Sequence, residues 1–220
     1  MKAVHLVNMV DKNFTADRTI TIVVGKGEHQ IDGDYLMIAS AMNIVGDPDV
    51  LKSEIVVVGG VKFKRWIPGN CHLQHLTLRQ AQECGVEGES SFTMDDVLVE
   101  QCYGSGVLAY GTGVVGRCTN VEVRQCGGSG VVATVGASIT LIGAKTTVHH
   151  TCTDGDSDEY GLIVAHSSSS TIQLVSPLTK EHVSIDNGGG GNWGAAFGGD
   201  INQIKTVAGT IIANDCPNKK

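Results

Sequence analysis

A thirteen-residue segment occurs twice in this chain, at a separation of 24 positions. Its copies are VLVEQCYGSGVLA at 97–109 and VEVRQCGGSGVVA at 121–133, and nine of the thirteen residues are identical. A fixed period of this length is typical of stacked-repeat proteins, in which one unit buries its apolar side only against its neighbours. Each copy contains short alternating apolar runs separated by Gly and Ser, which predict strand, turn, strand. The repeat therefore predicts the rungs of a parallel β-helix.

The composition agrees with a coil that turns often. The 220 residues include 29 Gly but 4 Pro, and 5% are aromatic. We predict an all-β protein made of one right-handed parallel β-helix of roughly eight rungs. The predicted organisation is a short cap at 1–18, the β-helix at 19–213, and a polar tail at 214–220. A cap is expected because the open end of such a stack exposes unpaired strand groups.

Two short motifs resemble the pectate-lyase-like right-handed β-helix superfamily. They are IVGD at 44–47 and LTL at 76–78, and the resemblance extends over about residues 19–187. It implies the β-helix fold. The superfamily includes polysaccharide lyases, glycoside hydrolases and epimerases, and related intracellular β-helices serve as substrate-recognition parts of larger proteins. The resemblance thus leaves both enzymes and binding modules open.

Charge and hydropathy exclude two classes of partner. A formal net charge of −7 argues against sequence-independent binding of nucleic acid, which needs a dense Lys and Arg surface. No run of eighteen apolar residues occurs, so we expect no membrane span. The first residues are interrupted by His5 and Asn8 and make a poor signal peptide, although a leader removed earlier is not excluded.

The cysteines predict packing rather than cross-linking. There are seven, an odd number, and no C-x-x-C motif. Cys102 and Cys126 occupy equivalent repeat positions, so we expect them to stack as small buried side chains. Unpaired thiols and the poor leader together favour a cytoplasmic protein.

Aligning the repeats on their apolar pairs predicts vertical columns of side chains. The inward column contains Leu78, Val99, Val123 and Val148. Because side chains on a strand alternate between faces, the next residues point outward, and these are Arg79, Glu100, Arg124 and His149. Two interpretations stay open: a solvated ladder of alternating charges, or a polar surface that binds a sugar or a peptide. Tyr103 and Tyr110 are candidate binding residues as well, because the second copy has Gly127 and Thr134 at those positions.

The turns carry columns of their own. Gln80, Gln101, Gln125 and His150 follow the outward column, and stacked amides of this kind satisfy the turns of a solenoid. His75, Asp96 and Asn120 precede the strands and suit a sharp bend. We interpret both columns as structural.

Two functional hypotheses follow. The first is a non-enzymatic recognition or scaffold module that binds a protein or a glycan along its outer sheet. The second is a carbohydrate-active enzyme, namely a polysaccharide lyase, glycoside hydrolase or epimerase acting on acidic polysaccharide. Its candidate catalytic residues are Asp95, Asp96, Arg117 and Lys145. Adjacent Asp residues on a strand point to opposite faces, so at most one of the two can join a site. The oligomeric state is not predicted.

An insertion of six residues between 151 and 161 is acidic. Asp154, Asp156 and Asp158 have the spacing of the first ligands of a calcium loop, but Glu159 occupies the position of the required Gly. We expect no metal or other cofactor, with a Ca²⁺ site on these three carboxylates as the alternative. Further on, the glycine-rich run at 186–194 lacks the Gly-Lys-Ser/Thr of a phosphate loop. It is interpreted as the turn into a last strand at 201–207, with a closing segment at 210–213, and a separate strand is expected at 61–66.

Overall fold

Strands account for most of the regular structure. The computed structural model describes residues 19–209; the predicted cap, the closing segment at 210–213 and the tail lie outside these residues. In this range the strands are parallel to their neighbours and belong to two sheets, of eight and twelve strands. The predicted all-β parallel β-helix is therefore confirmed.

The first face of the coil is the eight-stranded sheet, so the chain passes through it eight times. Its inward side chains are almost fully buried, as with Leu73 and Ile139. In the order of the sheet, its strands are β1 (Ile20–Val24), β3 (Met42–Gly46), β5 (Cys71–Gln74), β8 (Phe92–Asp95), β11 (Val115–Thr119), β14 (Ser138–Ile142), β17 (Thr171–Val175) and β20 (Ile204–Val207).

The second face follows the first after a corner, which is a sharp bend in the passes of β5, β8 and β11 and a longer connection after β3 and β17. Two of its strands continue into the third face, namely β2 (Gly27–Ile38) and β4 (Ile55–Phe63). The remaining strands of the second face are β6 (Thr77–Arg79), β9 (Leu98–Glu100), β12 (Glu122–Arg124), β15 (Thr147–His149) and β18 (Ser184–Ile185).

The third face closes each turn of the coil. It contains the second halves of β2 and β4, and then β7 (Val86–Gly88), β10 (Val107–Tyr110), β13 (Val131–Thr134), β16 (Leu162–Ala165) and β19 (Trp193–Ala196). The twelve-stranded sheet is thus two faces joined through β4, whose first half pairs with β6 and whose second half pairs with β7. We call the turns after the first, second and third faces the first, second and third corners.

Two predicted boundaries were wrong in detail. The strand expected at 61–66 is the second half of β4, which runs unbroken through Gly59 and Gly60. Side chains there would collide with Ile31 and Tyr35 of the preceding pass, so only glycine lets the strand continue. The last strand is shorter than expected, because Ile201–Gln203 forms a 3₁₀ turn capped by Asp200. Two further short elements are the 3₁₀ turn Lys52–Glu54 and the helix α1 (Lys180–Val183).

The predicted columns are confirmed by the strand register. Leu78 pairs with Val99, Val99 with Val123, and Val123 with Val148. All of these side chains are buried in one continuous core. Cys102 and Cys126 are buried, unpaired and in side-chain contact. Like positions therefore stack directly over one another, and burial of the inward columns provides most of the hydrophobic stabilisation.

The corners are built on left-handed backbone. The first-corner column has φ of 52° at His75, Asp96 and Asn120. At the second corner the predicted column has φ of 54–56°, at Gln80, Gln101, Gln125 and His150. Residues with φ in this range are sharply bent and are enriched in Asn, Asp and His. The structural interpretation of both columns is thus supported by their backbone conformation.

Candidate binding grooves

The outward column on the second face is an internally paired ladder of charges. Arg79 Nε donates to Glu100 Oε1 at 2.6 Å, and Arg124 Nη2 donates to Glu100 Oε2 at 2.7 Å. Arg124 Nη1 also reaches Glu122 Oε1 at 3.1 Å, and His149 Nε2 lies 3.3 Å from the same oxygen. The structure brings Arg79, Glu100, Arg124 and His149 together, as the repeat alignment predicted. Because the charges neutralise one another, this face offers an external ligand little unpaired charge; a binding role for these four residues stays a prediction.

Glu100 is the centre of that ladder. Its side chain is 3% exposed although it lies in an outward column, because two guanidinium groups and the neighbouring rungs cover it. Burial by itself would raise the pKa of the Glu100 carboxyl. The hydrogen bonds from Arg124 and Arg79 outweigh that effect and lower the pKa, so the group is a buried, doubly paired carboxylate.

The four candidate catalytic residues lie on the first face and at the first corner, over three passes of the chain. Asp95 and Arg117 both belong to the first face, in β8 and β11, and are not direct partners in the register. Asp96 lies at the first corner, where it binds Lys52 Nζ at 2.7 Å and His75 Nδ1 at 2.7 Å. Lys145 lies on the exposed first-corner turn two passes further along from Asp95 and Asp96.

Asp96 and His75 form a structural pair. His75 contacts Asp96 through one ring nitrogen and the carbonyl oxygen of Val50 through the other, at 2.8 Å. Both contacts raise the pKa of His75. Burial alone would raise the pKa of Asp96, but the hydrogen bonds from Lys52 and His75 outweigh it and lower that pKa. Both ring nitrogens of His75 thus face an oxygen acceptor, which favours the protonated ring; a catalytic role for Asp96 stays a prediction.

The acidic insertion is a mostly exposed loop. Asp156 Oδ1 accepts a hydrogen bond from the backbone N–H of Asp158 at 2.9 Å. Glu159 turns inward instead, and burial together with Asp154 raises its pKa to about 7. Within residues 19–209, no group of three or more His, Cys, Asp or Glu side chains is placed to hold a metal ion. A Ca²⁺ site at Asp154, Asp156 and Asp158 stays a prediction.

A shallow groove follows the second corner. It has a volume of about 620 Å³, and its floor is the glutamine column at Gln80, Gln101 and Gln125. Tyr103, which the sequence analysis gave as a candidate binding residue, also lines the groove, and 79% of its surface is exposed. Asp154 of the acidic insertion also lines it. Glutamines are the commonest residues of its lining, and Tyr103 is the one aromatic residue among them.

A second groove follows the third corner and is richer in aromatic side chains. Its volume is about 690 Å³, and it extends from the loop after β4 to Val135. Tyr110, the other candidate binding tyrosine, lines this groove together with Arg65 and Trp66. The guanidinium carbon of Arg65 lies 5.4 Å from the centroid of the Tyr110 ring, within range of a cation–π contact.

Trp66 is the most unusual residue of this groove. It is 91% exposed and has a φ of 66°, a conformation that costs a bulky residue about 1–3 kcal/mol. The loop that carries it is fixed: the Ser90 hydroxyl donates to the carbonyl oxygen of Lys64 at 2.7 Å and accepts from the N–H of Ile67 at 3.2 Å. Ile67 is buried in the core. The indole is therefore held out into solvent by an anchored loop.

Sequence reasoning missed Trp66 because the run at 61–66 reads as a strand, and an apolar residue in a strand is expected to be buried. A usable signal was the Pro68-Gly69 pair immediately after Ile67, which places residues 64–70 in a turn. A tryptophan in a turn has no sheet to pack against.

The third-corner groove is the better candidate site of the two, since its anchored indole, tyrosine and arginine converge beside hydroxyl and backbone groups. Within residues 19–209, no helix is long and apolar enough to cross a membrane. Searches of protein-family models, of curated proteins and of solved structures found no significant match to this chain.

Proposed function

We propose that this protein is a non-enzymatic recognition module of the pectate-lyase-like β-helix superfamily, and that it binds a glycan chain in the third-corner groove. The observation that carries the proposal is the exposure of Trp66 on an anchored loop at the wall of that groove. Tryptophan exposes a large apolar surface to water at a cost in free energy. A ligand with an apolar face, such as the C–H face of a sugar ring, would cover it.

The polar lining suits a sugar as well. Around the aromatic side chains lie Asn70, Ser91 and Thr112, side chains that donate and accept hydrogen bonds without carrying charge. Small-molecule sites combine an apolar surface with a few placed polar groups in this way. The anchored loop lowers the entropy that binding would cost, because Trp66 is already positioned.

The charge of the groove favours a neutral glycan over an acidic one. The cation Arg65 lies against Glu89, with Nε 3.5 Å from Oε2, and also against the ring of Tyr110. Its charge is thus partly compensated before any ligand arrives. The chain as a whole has a formal net charge of −7, which repels a polyanion.

The number of carboxylates that line the groove favours binding without turnover. A glycoside hydrolase uses two carboxyl groups on either side of the bond that breaks, about 5–9.5 Å apart. Among the residues that line this groove, Glu89 is the one carboxylate, and it contacts both Arg65 and Lys62. The enzyme hypothesis, with Asp95, Asp96, Arg117 and Lys145, remains the alternative.

The test is titration calorimetry with neutral oligosaccharides (cello-, xylo- and manno-oligosaccharides) and with oligogalacturonides as the acidic arm. We expect binding of a neutral series and a loss of about tenfold or more in affinity for Trp66→Ala, since buried tryptophans dominate binding energies. The matched control is Leu51→Ala, which removes another exposed apolar side chain, 70% exposed, from a different corner.

Three results would overturn the proposal. One is the absence of binding to every neutral series. Another is an equal loss of affinity for Trp66→Ala and Leu51→Ala. The third is release of new reducing ends or of an unsaturated product, which would establish the enzyme alternative instead.

A further inference from the structure

The third corner differs from the other two in the residues that occupy its left-handed positions. At the first and second corners these positions hold polar residues such as His75, Asp96 and Gln101. At the third corner the column contains the apolar residues Val135 and Phe197, with φ of 54° and 50°, and between them His166, with φ of 54°. A β-branched or large aromatic residue is unfavourable in this conformation. The fold can make the same bend with Asn or Gly, so folding does not explain why an aromatic residue occupies it.

These three residues stack directly above one another. The backbone N–H of Val135 donates to the carbonyl oxygen of Ala165, and that of His166 donates to the carbonyl oxygen of Ala196. Val135 lines the end of the third-corner groove. His166 and Phe197 therefore continue the column of Val135 along the third corner over the next two passes of the chain.

His166 and Phe197 form an exposed aromatic pair. Their ring centroids lie 4.8 Å apart and their planes differ by 8°, a stacked arrangement. Phe197 is nevertheless 64% exposed, and the His166 ring supports it from one side. Like Trp66, it is a large apolar surface held in water by a strained but supported backbone.

We propose that the His166–Phe197 pair is a second contact point for the glycan, so that the site takes an extended chain along the third corner rather than a short sugar. This inference rests on the proposed function. Trp66 follows the second pass and Phe197 the seventh, and five steps of about 4.8 Å correspond to up to about 24 Å along the coil. A disaccharide reaches one contact point, whereas a longer chain reaches both.

The experiment measures affinity against chain length, with the neutral oligosaccharide series from two to eight units. For wild type we expect affinity to rise with length until both contact points are covered. Phe197→Asn should lower the affinity for eight units by about three- to tenfold and leave that for two and three units unchanged. Phe197→Tyr, which keeps the ring, should retain the affinity.

A second readout separates binding from folding. Asn tolerates left-handed backbone better than Phe does, so Phe197→Asn should melt at the same temperature as wild type or higher. Asp186→Asn is the matched control, since Asp186 has φ of 53° at the second corner. It should change neither affinity nor melting temperature.

The failures of the two proposals are distinguishable. If no neutral oligosaccharide binds at any length, the proposed function fails. The second contact point is refuted if short chains bind as tightly as long ones, or if Phe197→Asn leaves the affinity for eight units unchanged. It is also refuted if Phe197→Tyr loses as much affinity as Phe197→Asn. In each of these cases the proposed glycan site at Trp66 is unaffected.

Discussion

Replacing Glu100 by Gln tests whether the charged ladder stabilises the second face. The substitution keeps the shape of the side chain but removes the charge that both Arg79 and Arg124 contact. The carboxylate is 3% exposed, while the two arginines are 32% and 36% exposed. Breaking a fully buried ion pair costs about 3–5 kcal/mol, and solvent screening of the partly exposed arginines reduces this cost. We therefore expect a loss of about 2–3 kcal/mol in the free energy of unfolding.

The assay is urea unfolding of wild type and Glu100→Gln at pH 7, followed by a series toward acid. The loss corresponds to roughly 4–12 °C in melting temperature for a chain of this size. The pKa of Glu100 is lower in the folded state than its ordinary value of 4.5. Its stabilisation is thus complete above about pH 4.5 and is lost as the pH falls through the folded-state pKa, so the difference between the two proteins should shrink in acid.

Glu122→Gln is the matched control, because Glu122 belongs to the same ladder but is 29% exposed. We expect it to cost about 1 kcal/mol or less. The reasoning is refuted if Glu100→Gln unfolds at the same urea concentration as wild type, or if the difference between them is independent of pH.

Three further predictions concern packing and protonation. Gly127→Ala should destabilise the fold by more than about 2 kcal/mol, because its Cβ would overlap the Tyr103 carbonyl oxygen of the preceding pass. Chemical denaturation measures this loss. The control is Gly155→Ala, which should cost less, because its Cβ would meet open space although φ is positive there. NMR titration should place the pKa of His75 above its ordinary value of 6.5. The free energy of unfolding should therefore fall as the pH rises from 6.5 through that pKa. A His75→Asn variant should lack this pH dependence. Cys71 and Cys118 should react with iodoacetamide at pH 8 far more slowly in the native protein than in urea, because burial raises their pKa to about 11 and about 12. Peptide mapping by mass spectrometry measures the labelling of each cysteine, and fast labelling of either one in the native protein would contradict this.

The sequence was informative about the register because identical positions recur at a fixed spacing. The pairing of Val99 with Val123 follows from the repeat, and the small polar residues Asp96 and Asn120 predicted a sharp bend there, which the structure shows to be left-handed. It was less informative where the repeat breaks. The helix at Lys180–Val183 and the strand β19, which begins at Trp193, lie in segments that copy no other part of the chain.

By itself the sequence determined the parallel stack, its inward columns and the order of charges along the second face. These properties depend on one residue lying above its equivalent, and periodicity encodes that relation directly. Only the tertiary structure decided that Glu100 is buried between two arginines, that Asp96 is occupied by Lys52 and His75, and that Trp66 and Phe197 project from the same corner. Those facts depend on distances between side chains from different passes and on which bulky residues have left-handed backbone. The spacing of the repeat specifies neither the distances nor the backbone conformation.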